Sequence, residues 1–135
     1  MNRAIITTLA ALVATSSATG INCDGSGLCR SPGIAGNLLN LKAIVDNIQP
    51  RTRLFKTAQQ IACTGSLCAF YQSGATGSAE MASAQMGALL DHGCEKCGSC
   101  PTLPGNDVSK GELTVDVVGN PMCQGACTGV AMMMG

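Results

Sequence analysis

Apolar residues recur at three- and four-residue steps along GNLLNLKAIVDNIQP, placing Leu38, Leu41, Ile44, Val45 and Ile48 on one face of a helix. Lys42, Asp46 and Gln49 fall on the opposite face, Asn37 is in position to cap the start, and Pro50 stops the helix. A second helix is expected over SAEMASAQMGALLDHG, where Ala82, Met86, Leu89 and Leu90 share a face. Ser78 or Thr76 caps it, and Gly93 supplies the left-handed residue that ends it.

Between and after the helices the period changes to two. In GELTVDVV, Leu113, Val115 and Val117 alternate with Glu112, Thr114 and Asp116, so one face meets the helices and the other meets water. QQIACTGSLCAFYQ reads as a hairpin turning at Thr64-Gly65. A strand is expected from Gly93 to Ser99, and a short one at Ile21 to Cys23. The order β-α-β-β-α-β-β in so short a chain predicts an α+β fold, with two helices packed on one face of a mainly antiparallel sheet of about five strands.

The nine cysteines change this picture, because their chemistry depends on compartment. Residues 1–18 combine one positive charge at Arg3, an apolar run from Ala4 to Ala14 and a Ser-x-Ala ending, the pattern of a secretory signal peptide cleaved after Ala18. The run is too short to span a membrane, which takes about 20 apolar residues. The expected organisation is therefore a signal peptide at 1–18, one domain at 19–118, and a tail at 119–135 tied to the domain through Cys123. All nine cysteines enter an oxidising compartment, where a disulfide framework is the default and a zinc thiolate site at Cys94, Cys97 and Cys100 is the lesser alternative.

Strand geometry bears on the pairing. Cys94 and Cys97, if both extended, have Cα atoms about 10 Å apart and cannot bond each other. Cys23 and Cys29 in CDGSGLC are available as distant partners. Cys63 and Cys68 depend on the turn between them. A two-residue turn at Thr64-Gly65 makes them diagonal neighbours at about 7–8 Å, whereas a four-residue loop sets them opposite and bridgeable.

Composition points to a domain that needs staples. Two Phe, one Tyr and no Trp leave an aliphatic, sulfur-rich core. Formal charge is zero, which gives no footprint for nucleic acid or an anionic membrane. The local exception is PRTRLFK, where Arg51, Arg53 and Lys56 cluster with no acid between Asp46 and Glu80. Enzyme chemistry has few candidates. The single histidine, His92, sits where a helix ends. Asp107, which could pair with Glu112 or Asp116 in glycoside hydrolysis, lies in a turn-like GNDVS where an Asx side chain serves its own backbone. No catalytic residue, resident metal or cofactor is expected.

INCDGSGLC at 21–29, AGNL at 35–38, IAC at 61–63 and DHGCEKCGSCPTLPGNDVSKGELTVDVV at 91–118 resemble the family of small secreted fungal toxins named for the virus-encoded killer toxin of corn smut. The resemblance spans nearly the whole mature chain and is most specific in the last stretch. It implies an α/β sandwich and a secreted, monomeric protein that inhibits competing fungi by blocking calcium uptake through a membrane calcium channel, with no nucleic acid and no small-molecule substrate. It also implies disulfides Cys23–Cys94, Cys29–Cys97 and Cys63–Cys123, leaving Cys68, Cys100 and Cys127 to share a fourth bond and one free thiol. The family's toxin carries a lysine two positions before the cysteine matched by Cys63, where this chain has Ile61. Arg51, Arg53 and Lys56 are then the expected source of positive charge for channel contact. A secreted effector or elicitor acting on a plant or microbial host is the alternative on the same scaffold.

Overall fold

Helix α1, Leu38–Asp46, begins where the Asn37 side chain accepts a hydrogen bond from the Asn40 amide at 2.8 Å, and it buries Leu38, Leu41 and Val45. Helix α2, Ala79–Asp91, is capped by Ser78, whose hydroxyl accepts from the Met81 amide at 3.0 Å. It ends at His92, followed by Gly93 at φ +100°. Its buried face is Ala79, Ala82, Ser83, Met86 and Leu89, small enough near its start to let α1 approach closely. The helices run antiparallel. The Leu38 amide donates to the Glu95 carbonyl just past the end of α2, while the Ala79 amide donates to the Arg53 carbonyl just past the end of α1.

This computed structural model describes residues 19–33 and 36–127. The expected signal peptide at 1–18 and the Met-rich end at 128–135 lie outside the described residues. Seven strands are present among those described: β1 Leu54–Phe55, β2 Gln60–Thr64, β3 Leu67–Gln72, β4 Gly77–Ser78, β5 Gly98–Pro101, β6 Glu112–Val117 and β7 Gly125–Ala126. Five form an antiparallel sheet in the order β5-β6-β3-β2-β7, and β1 pairs with β4 in a small separate ribbon. Asn22 adds only an isolated bridge to Ser99, not a strand.

The sheet has two unlike faces. Leu67, Ala69 and Tyr71 of β3 stand opposite Val117, Val115 and Leu113 of β6, and this face joins the buried faces of both helices in the main core. Tyr71 is fully buried and donates its hydroxyl to the Ser78 carbonyl at 2.7 Å; burial pushes its phenol well above the ordinary range. The other face carries Cys68, Phe70, Thr114 and Asp116, and the C-terminal segment returns across part of it. There Cys63, Cys68 and Cys127 form a second, small cluster with Phe70, Val118 and Cys123 packed around it. Two glutamines hold that return in place. Gln60 Oε1 accepts from the Met122 amide at 2.7 Å, and Gln124 exchanges hydrogen bonds with the Gly65 backbone at 2.8 and 2.9 Å.

Four disulfides are formed. Cys23–Cys94 and Cys29–Cys97 tie the N-terminal loop to the segment after α2, across sequence separations of 71 and 68. The expected Cys63–Cys123 bond is not formed: Cys63 bonds Cys68, and Cys123 bonds Cys127. The cause is hairpin register. The turn is Gly65-Ser66, not Thr64-Gly65, so Thr64 still pairs with Leu67 and the next pair, Cys63 and Cys68, stands directly opposite with Cα atoms 4.1 Å apart. The tail is consequently held to the domain by β7 and by side-chain hydrogen bonds, and Cys123 closes a loop within the tail itself. Cys100 is the free thiol, buried in the main core, and burial raises its pKa.

The expected strand over 93–99 is also corrected. Residues 93–97 form turns, and β5 begins only at Gly98. Cys94 and Cys97 take distant partners because this bend aims them at the N-terminal loop, not because an extended backbone separates them.

Candidate functional site

Arg51, Arg53 and Lys56 come together where α1 ends and α2 begins, but they do different things there. The Arg51 guanidinium donates through Nη1 to the carbonyls of Val45 (2.7 Å) and Ile48 (3.2 Å), and through Nη2 to Ser83 Oγ (2.7 Å). It caps the Ile48 carbonyl, adds a second donor to the Val45 carbonyl, which already accepts from the Ile48 amide at 3.1 Å, and binds this end of α1 to α2. Arg53 donates through Nη2 to the Gln49 carbonyl at 3.1 Å. The backbone carbonyls of Arg51 and Arg53 accept from the amides of Glu80 and Ala79, both at 2.9 Å. Lys56 differs. Its backbone amide donates to Gln59 Oε1 at 2.9 Å, while its exposed ammonium has no bonded partner among the described residues. Between Arg53 and Lys56 stands Leu54, 74% exposed. The outward surface at this end of the helix pair is therefore Arg53, Leu54 and Lys56.

Nearby charges are already occupied. Lys42 and Asp46 form an ion pair at 3.0 Å on α1. Partial burial raises the Asp46 carboxyl, but hydrogen bonds from Lys42 and Ser83 and the charges of Lys42 and Arg51 outweigh it, leaving Asp46 below its ordinary range. The carboxylates weighed for hydrolysis are also committed. Asp107 accepts from the Ser109 amide (3.0 Å) and hydroxyl (2.7 Å), bonds that hold its pKa down. Glu112 accepts from Ser73 Oγ at 2.7 Å, and Asp116 Oδ1 accepts from the amides of Ser26 (3.0 Å) and Val117 (2.7 Å). His92 is exposed at the end of α2 with its backbone amide bonded into the last turn. Cys94 and Cys97 are consumed in separate disulfides, so with Cys100 they do not form a thiolate triad.

At the opposite end of the helix pair lies a cleft of about 520 Å³ that the sequence did not disclose. The N-terminal loop forms one wall, residues 93–97 the other, and Asn37 at the start of α1 lies at its edge. Cys23–Cys94 and Cys29–Cys97 cross between the walls. Gly25 is required there: a Cβ at that position would lie 2.6 Å from the Cys97 Cβ.

A sequence model of the Kp4 family matches residues 6–119. The chain belongs to the Kp4 family. It is 34% identical over 121 residues to the KP4 killer toxin of Ustilago maydis P4 virus, an alignment covering 81% of this chain and 87% of that protein. Kp4 membership makes the protein killer-toxin-like, and the family is one of toxins rather than of enzymes. The match ends at residue 119, before the return segment with Cys123 and Cys127.

Proposed function

We propose that this protein is secreted and inhibits the growth of competing fungi by blocking calcium uptake through a membrane calcium channel of the target cell. The observation that carries this reading is the 34% identity to the KP4 killer toxin over most of both chains. Disulfide staples, an α+β scaffold and an N-terminal segment with signal-peptide pattern are in keeping with it. Contact with the channel falls to Lys56 and Arg53. Channel mouths present acidic groups to attract cations, and Lys56 is a cation unengaged among the described residues, beside a second one and an exposed apolar side chain. Arg51 belongs to the scaffold instead, because its guanidinium is spent on α1 and Ser83.

The test is to apply purified protein to a panel of fungi while following growth and calcium influx. Slower growth, reduced influx and relief by added external calcium are expected. The double variant Arg53→Gln, Lys56→Gln should keep the fold and inhibit several-fold less, as expected when charges facing a complementary partner are lost. A folded wild-type protein that leaves growth and calcium influx untouched in every fungus would defeat the toxin reading and favour an effector acting on a plant or microbial host. Full potency in the double variant would remove this surface from the mechanism.

A further inference from the structure

We propose that the disulfide-walled cleft is a binding site for an extended peptide segment in which an acidic residue adjoins a bulky aliphatic one. The cleft continues into a neighbouring hollow of about 320 Å³, and the two share Asn37, Cys94 and Glu95 as a common boundary. The larger space lies within the size range of ligand sites and is pre-formed, since a disulfide at each of two points holds its walls together. Little ordering is left for the protein to undergo on binding.

The lining is divided chemically. Arg30 lines the larger space, exposed and with no bonded partner among the described residues, and it selects an anionic side chain. Leu39, 65% exposed, and the half-buried Leu90 line the smaller one, which suits a branched aliphatic side chain. The shared boundary carries what a peptide backbone needs. The Asn37 side chain spends its oxygen on the Asn40 amide and keeps its N–H donors for a carbonyl. The Glu95 carboxylate, exposed and unpaired among the described residues, accepts from an N–H. Such a boundary between a charged and an apolar pocket favours a chain with both kinds of side chain in sequence over a simple anion, which Glu95 would repel.

This inference does not depend on the toxin reading, and binding can be measured without any target cell. Backbone-amide NMR of the isotope-labelled, fully oxidised protein would be titrated with acetyl-Glu-Leu-N-methylamide, and with acetyl-Lys-Leu-N-methylamide as the charge-reversed control. Saturable shifts confined to residues 26–30, 37–39 and 93–97, at concentrations on the order of millimolar, are expected for so small a ligand. Arg30→Gln should weaken the glutamyl peptide about fivefold. Leu39→Gln, also at an exposed position, should weaken both peptides. Equal binding of the lysyl peptide, unchanged binding in Arg30→Gln, shifts centred on Arg53 and Lys56, or no shifts at the cleft would each overturn the proposal.

Discussion

Arg51, Arg53 and Lys56 look alike as charges in a row, yet their energetic roles separate cleanly. Arg51 makes three hydrogen bonds, two to carbonyls at the end of α1 and one to a serine only 7% exposed. Replacing it with Gln removes the donor from the Ile48 carbonyl and from Ser83, while the Val45 carbonyl keeps the Ile48 amide. A loss of about 1–3 kcal/mol is expected by chemical denaturation. Lys56→Gln removes no side-chain bond among the described residues and should stay within about 0.5 kcal/mol of wild type. A flat result for Arg51→Gln would show that water satisfies the Ile48 carbonyl and Ser83 equally well. Cys100 offers a second residue-scale test. Burial keeps its thiol protonated above the usual cysteine range, and the thiolate is the reactive form. A thiol-specific reagent at mildly alkaline pH should label the native protein slowly and one site per chain after denaturation without reductant. Rapid labelling of the native state would place Cys100 at the surface.

At the scale of elements, helix assignment followed the sequence closely because an amphipathic period and its caps are local. Asn37, Ser78 and Gly93 all act where their residue types suggested. The β2–β3 hairpin was harder to read. Gly65, at φ +61°, occupies the first turn position instead of the second, and that one-residue step turns Cys63 and Cys68 from diagonal neighbours into a directly opposed pair. A bulge between Gln60 and Ala62 also breaks the alternation, so Ile61 and Ala62 both enter the main core. The disulfides should differ in worth accordingly. Loop-closure entropy assigns about 4 kcal/mol to Cys23–Cys94, with its separation of 71, and about 2 kcal/mol to Cys63–Cys68, with its separation of 5. Cys63→Ala with Cys68→Ala should therefore unfold at lower denaturant than wild type but well above Cys23→Ser with Cys94→Ser. The reverse order would mean that contacts in the sulfur cluster outweigh chain entropy.

For the whole molecule, two long-range disulfides join the halves of a core with a single buried tyrosine and one buried phenylalanine. A domain of this size has a stability of roughly 5–15 kcal/mol, comparable to the combined contribution of these two bonds. Replacing Cys94 and Cys97 by Ser should abolish a cooperative thermal transition. A sharp transition near the wild-type Tm would show that the helix–sheet core suffices. The same two bonds also wall the cleft, so scaffold and candidate site share one covalent frame.

The sequence alone determined the α+β class, both helices with their caps, strand β6 and the family, because periodicity, capping chemistry and ordered motifs are properties of neighbouring residues. Tertiary structure decided the rest. Which cation remains available depends on whether carbonyls from a distant helix end come within reach, as they do for Arg51 and do not for Lys56. Which cysteines bond depends on a register that a single turn residue shifts. The cleft exists only because residues 23–32 and 93–97 are brought face to face, and no spacing within either segment records the other.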